Sequence, residues 1–340
     1  MRKTDLAIVA LLSVWCVPSL LAQAPKPPLE EGIPSEHVQQ DLPGLQLEPT
    51  RRFELEDALK LHDYRRAETI LVEESERDPK SLRSARLLTM AGGIFFLDGL
   101  YLDSVIAWKR AEAIQPLDDR SRFTLVMAYI RLNRRDWARA ELEKLAAAQS
   151  QNPLYLYWLA RLDYDTQNYT AAIARLQKVI EIDPKMMRAY DSLGLCYDYL
   201  GQPDEAVNNY KRAIELNRLQ LKPSPWPHVD LAMTLIAVNQ LGEAERNLNE
   251  ALRYDARLPQ AHYQLGRILE MRGDYQAAAE AVRQAAELNP AYPEPHLLLG
   301  RIYHRLGQDQ QAKTEVERFQ QLKEAAQAPP TQGTSPSKEE

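Results

Sequence analysis

An all-α fold, built as a row of stacked antiparallel helix pairs, is predicted by three observations. A small residue recurs at a constant interval, 34 residues from Ala160 to Gly194 and again from Gly266 to Gly300. Around each recurrence the apolar residues fall at i, i+3, i+4 and i+7, the spacing of an amphipathic helix. No stretch of the chain shows the period-two alternation of a half-buried strand. A repeat of two helices cannot bury its apolar face alone, so each must stack on its neighbours.

The clearest copies fix the pattern. One runs Tyr190, Leu193-Gly194, Tyr197, Gly201, Ala206, Tyr210, Ala213. A second runs His262, Leu265-Gly266, Leu269, Gly273-Asp274-Tyr275, Ala278, Val282, Ala285, Pro290, and a third His296, Leu299-Gly300, Tyr303, Gly307, Ala312, Val316. Gly194, Ala206 and Ala213 stand where a large side chain would force two helices apart. Gly-Asp-Tyr at 273–275 supplies a short turn, and Pro290 stops the second helix. This order of residues resembles the tetratricopeptide repeat. The resemblance covers roughly residues 48–325 and implies a right-handed superhelical solenoid.

Taken from the N-terminus, residues 1–22 read as a secretory signal peptide: Arg2 and Lys3, an apolar run from Leu6 to Ala22, and small residues at the cut. Pro25 disfavours cleavage after Ala24, which places the mature start at Gln23. The alternative is an uncleaved membrane anchor, although the run is short for a span and broken by Pro18. Residues 23–47, with Pro25, Pro27, Pro28, Pro34 and Pro43, read as a solvated linker. The solenoid then spans 48–325 in about eight repeats. The first is weak, resting on Asp63-Tyr64, Ala67, Leu71 and Pro79. The second has Gly92, Gly99-Leu100-Tyr101, Trp108, Ala111 and Pro116, with Ser104 in place of an alanine. Ala128, Asp136-Trp137, Ala140 and Ala147 mark the third. Ala160, Asn168-Tyr169, Ala172 and Pro184 mark the fourth, where Asp163 replaces an aromatic. After the clear copy at Gly194, a four-residue insertion precedes Leu231-Ala232, Leu235, Ala244, Leu248 and Ala251. The two remaining clear copies complete the row, and residues 326–340 are too polar and proline-rich to order alone.

Composition narrows the function. The formal net charge is −6, near −7 once Arg2, Lys3 and Asp5 leave, and no basic stripe points to nucleic acid. With Cys16 in the removed segment, Cys196 stands alone, so no internal disulfide is expected; its simplest role is a small packed side chain. The histidines form no His-Glu-x-x-His pair and sit beside no cysteine cluster; His262 and His296 are read as packing. There is no phosphate loop, nucleophile elbow or dinucleotide fingerprint. No catalysis, cofactor or metal is therefore expected.

What remains is a surface. The resemblance implies that the first helix of each repeat lines a concave groove that holds a peptide or a partner's helix. Carried over by spacing, the partner-binding residues are Tyr157, Arg161 and Tyr164, then Tyr263 and Arg267, then Arg301, His304 and Arg305. Leu195 and Met233 hold the intervening places, which gives a basic, aromatic C-terminal part and an apolar middle. A partner with acidic and apolar groups would suit it. The reading is an exported, periplasmic or secreted, non-catalytic scaffold; the alternative is an assembly or trafficking factor for a bacterial envelope machine, serving secretion, pilus or outer-membrane biogenesis.

Overall fold

A computed structural model describes residues 42–327, so the signal peptide, most of the linker and the tail from 328 lie outside the described residues. The described residues hold one 3-10 turn, Leu42–Leu45, and sixteen α-helices, with no strand. They fall into two compact units that divide between Ser150 and Gln151. The N-terminal unit holds α1 (Pro49–Lys60), α2 (Tyr64–Glu76), α3 (Leu82–Leu97), α4 (Tyr101–Glu112), α5 (Asp119–Arg131) and α6 (Arg135–Ala148). The C-terminal unit holds α7 (Pro153–Asp165), α8 (Tyr169–Ile182), α9 (Met187–Tyr199), α10 (Pro203–Asn217) and α11 (Trp226–Ala237). It continues with α12 (Leu241–Tyr254), α13 (Pro259–Arg272), α14 (Tyr275–Leu288), α15 (Pro293–Arg305) and α16 (Asp309–Gln327). Within each unit, every helix packs on the one before it. This is an all-α helical repeat architecture.

The helices of each pair are joined by a turn with one residue in the left-handed region. At Gly99, Gly201, Gly273 and Gly307 that residue is a glycine, which adopts the conformation without strain. At Gly273, φ is 83°, and Asp274 then caps α14 by accepting from the Ala277 amide at 3.2 Å. His62, Asn133, Gln167 and Asn239 fill the equivalent turns with side chains that tolerate φ > 0 less well. Proline opens α7, α10, α13 and α15, where its missing amide hydrogen would have no helical partner.

In the N-terminal unit the core centres on Trp108 of α4, 1% exposed. Its ring lies against Gly92 of α3, where an added Cβ would meet the indole at 2.7 Å. The indole N–H donates to the Thr89 carbonyl at 3.1 Å. Ser104, the substitute for the usual alanine, is fully buried and donates its hydroxyl to the Gly92 carbonyl at 2.6 Å. The N-terminal edge differs from the sequence reading. Residues 42–47 fall in the expected linker, yet Leu42 and Leu45 are buried in the same cluster as Leu55, Ala58 and Leu71. The 3-10 turn packs on α3 and adds its two leucines to this cluster. Arg83 ties this edge down, donating to Gln46 O at 3.3 Å and to the buried Glu74 carboxylate at 2.6 Å.

Glu68 of α2 is 6% exposed, and its Oε1 is buried without a hydrogen bond. Burial, reinforced by Asp98 and Asp103, pushes its carboxyl up to about 7. The stability linked to this raised value is fully present below the unfolded-state carboxylate range and is lost as pH rises through about 7. Glu68→Gln should therefore raise the melting temperature at pH 8, by on the order of 1–3 kcal/mol of stability, and change little at pH 4. Melting curves of both proteins across this range test it; an unaltered pH profile in the variant would contradict it.

In the C-terminal unit the small positions of the first helices receive large side chains from the second. A Cβ on Gly194 or Gly266 would fall inside the van der Waals shells of Tyr210 and Val282, and on Gly300 it would meet Val316 at 2.8 Å. Asp163, where an aromatic was expected, is 4% exposed and accepts from Arg175 Nε at 2.7 Å. An ion pair between α7 and α8 thus occupies the aromatic's place. The insertion between α10 and α11 is clamped by the buried Asn217, whose amide donates to Ser224 O at 2.7 Å and accepts from Ser224 N at 2.8 Å. Cys196 is a free thiol at 0% exposure, and burial pushes it up to about 12, so it packs as a small apolar group. Among the described residues no helix is long and apolar enough to cross a membrane.

Candidate partner-binding site

The first helices of the C-terminal unit, α7, α9, α11, α13 and α15, each touch the next in the row. Along α7, α9, α11 and α13, Arg161, Tyr164, Asp191, Asp230, Tyr263 and Arg267 are half-buried, which leaves a polar and aromatic face partly open. The sequence-predicted residues distribute over this face unevenly. Tyr157 is not exposed as expected: it is 8% exposed, packed edge-on against Trp158 with centroids 5.8 Å apart, within the apolar cluster around Leu156 and Ala160. Arg161 is half-buried, its guanidinium 5.4 Å from the centroid of the Tyr164 ring. Tyr164 is half-buried in turn, edge-on to Tyr169 at 5.6 Å and Tyr199 at 5.5 Å. Burial raises its hydroxyl above the usual tyrosine range, so it stays protonated.

Toward the C-terminus, Tyr263 is half-buried beside Tyr292, with centroids 5.4 Å apart. Arg267 donates to Gln264 Oε1 at 2.8 Å, and Arg301, exposed, donates to Glu270 Oε2 at 2.8 Å across α13 and α15. His304 is exposed, its Nδ1 3.2 Å from Asp309 Oδ1, and Arg305 is exposed beside it. The expected basic character is therefore reduced. Glu270 is bonded to Arg301, and Glu294, whose Oε2 is buried without a hydrogen bond, opens α15.

The middle of the face departs furthest from the expectation of an apolar surface. Leu195 and Met233 are half-buried there, as apolar residues packed on the local core. Asp191 lies one turn before Leu195, Asp230 three residues before Met233, and Asp198 near the end of α9. Asp198 Oδ2 accepts from the Tyr210 hydroxyl at 2.8 Å and from the Thr234 hydroxyl at 2.7 Å, which links α9, α10 and α11. Burial pushes Asp191 up to about 7 against the opposing influence of Arg161. Asp230 is held well above the carboxylate range by burial and by the nearby Asp191 and Asp198. The residue following each small position draws attention to Leu195 and Met233. The acidic residues sit at other offsets on the same helices and become neighbours only when the helices stack.

The histidines read as packing make local contacts. His262 Nε2 is 3.1 Å from the Ala256 carbonyl oxygen, and His296 Nδ1 is 2.6 Å from Glu315 Oε2. Among the described residues no three His, Cys, Asp or Glu side chains converge as a metal site.

Comparison with known proteins agrees with this architecture. Three tetratricopeptide repeat profiles match residues 151–218, 229–293 and 269–327, all in the C-terminal unit. A tetratricopeptide repeat protein from Parabacteroides merdae superposes with a TM-score of 0.62 at 17% identity, over 77% of this chain and 99% of that one. PilW superposes with a TM-score of 0.55 at 19% identity, over 60% of this chain and 92% of that one. The pilF protein of Pseudomonas aeruginosa superposes with a TM-score of 0.53 at 18% identity, over 65% of this chain and 97% of that one. At these identities the likeness is one of fold. No curated protein matches the chain in sequence. Repeats of this kind mediate protein–protein interaction. With the 34-residue period, the small-residue crossings at Gly194, Gly266 and Gly300 and three matching profiles, the chain is a tetratricopeptide repeat protein.

Proposed function

We propose that the protein is a non-catalytic scaffold that holds an extended segment of a partner protein along the first-helix face of its C-terminal unit. The observation that carries this reading is the half-buried, mixed face itself. Arg161, Tyr164, Asp191, Met233, Tyr263 and Arg267 lie along consecutive first helices and stay partly open to solvent. By contrast, α8, α12 and α14 turn exposed charged residues such as Lys178, Arg246 and Arg283 outward. Rigid aromatic rings beside anchored charges give contact area at low ordering cost. The basic, apolar sequence start supports export, in keeping with a periplasmic or secreted scaffold. A second reading is an assembly factor for an envelope machine. PilW, described as a type IV pilus biogenesis factor, shares the fold and favours that role, and it would use the same face.

A photo-reactive amino acid placed at Leu195 or Met233 should cross-link one partner in intact cells. The same group at Arg246 or Arg283, on second helices, should not. Equal capture from both sets, or capture from the second helices alone, would contradict the proposal.

A further inference from the structure

We propose that the middle of this face is a receptor for a single basic side chain, with Asp191 and Asp230 as its carboxylates and Leu195 and Met233 as the walls for the aliphatic stem. The inference deepens the proposed function and rests on it.

Three observations carry it. α9 and α11 touch, and the Thr234 hydroxyl, one turn after Asp230, donates to Asp198 at 2.7 Å; the charges of Asp191 and Asp198 on α9 both oppose ionisation of Asp230 on α11. Asp198 is already satisfied by the Tyr210 and Thr234 hydroxyls, so it is a fixed part of the wall. Asp191 is different: its Oδ1 is fully buried and accepts no hydrogen bond. A buried acceptor left unpaired is costly, and a donor brought by a ligand would relieve it. The charges around Asp191 do not supply that donor. Arg161 of α7 is the cation that acts on Asp191, and it is placed over the Tyr164 ring. The group facing from α10 is the Tyr210 hydroxyl, which donates to Asp198. Arg161 is thus the one cation acting on both Asp191 and Asp230.

The chemistry of the occupant follows. Lysine and arginine combine hydrogen-bond donors, positive charge and an apolar stem. Leu195 lies one helical turn after Asp191, and Met233 nearly one turn after Asp230, so apolar surface borders the carboxylates on both helices. An acidic side chain, suited to the arginines further along, would meet repulsion here. The favoured peptide thus carries a basic residue at this register, with acidic groups confined to the segment facing Arg267 and Arg305.

A random-sequence peptide display selected against the full chain, followed by anisotropy titration of synthetic peptides, tests this. Peptides enriched on the wild-type protein should share one lysine or arginine at a fixed spacing from an apolar residue. Replacing that residue by alanine, or using Asp191→Asn with Asp230→Asn, should weaken binding by about ten- to a hundredfold. Asparagine keeps the shape and removes buried charge, so helicity and melting should hold. On the unaltered protein, affinity should rise between pH 5.5 and 8 as Asp191 loses its proton, and the double variant should lack this rise. Peptides that shift the Met233 methyl resonance without a fixed basic residue, or that bind the double variant equally well, would overturn the receptor and leave the groove standing. If no selected peptide binds the first-helix face, the groove reading fails and the receptor with it.

Discussion

Trp108→Ala should destabilise the N-terminal unit by about 3–5 kcal/mol, the range for removing a buried aromatic from a close-packed core. The ring is 1% exposed, fills the space above Gly92, and its N–H bonds the Thr89 carbonyl. Truncation opens a cavity and leaves that carbonyl short of a donor. Neighbouring repeats carry each other's stability, so melting should become broader, with signals from the N-terminal unit lost first. A variant that melts like the parent would show that the α3–α4 contact is not tightly packed.

Gly266→Leu tests the same principle in the C-terminal unit. Even a methyl group on this glycine would collide with the Val282 side chain, and the Ala278 carbonyl oxygen would lie 3.3 Å away. A leucine must push α13 and α14 apart, with an expected loss of on the order of 1–3 kcal/mol. Val282→Ala in the same chain should recover part of it, because the methyl groups that clash are gone. Native stability in Gly266→Leu, or no rescue, would mean the helices do not cross at this residue.

The repeat was legible because complementary size is written in sequence. Gly266 with Val282, Gly300 with Val316 and Gly194 with Tyr210 each pair a small residue on one helix with a large one sixteen positions later. The turns were half legible. Gly-Asp-Tyr at 273–275 announces itself, whereas His62, Asn133, Gln167 and Asn239 reach the same left-handed backbone without the glycine signal. The N-terminal edge was missed because proline content suggests a linker, while Leu42 and Leu45 meet their apolar partners only in three dimensions. The replaced aromatic at Asp163 looked like a weakened repeat and is an ion pair with Arg175. On the partner-binding face, spacing placed Arg161, Arg267 and Arg301 on corresponding turns. It could not reveal that Tyr157 would bury itself against Trp158, or that Arg301 would be taken up by Glu270. Least visible was the acidic middle. Asp191 and Asp230 lie 39 positions apart, in repeats separated by the insertion, and neither occupies the offset that drew attention to the arginines.

The proposed scaffold takes its partner segment on the first-helix face of the C-terminal unit. Methionine methyl resonances report on it directly, because Met233 sits half-buried at the centre of that face, while Met90 and Met127 belong to the core of the N-terminal unit. In protein carrying methyl-labelled methionine, titration with a peptide from the cross-linked partner should shift the Met233 signal progressively and leave Met90 and Met127 in place. Binding that leaves Met233 unmoved while Met90 or Met127 shifts would contradict the account.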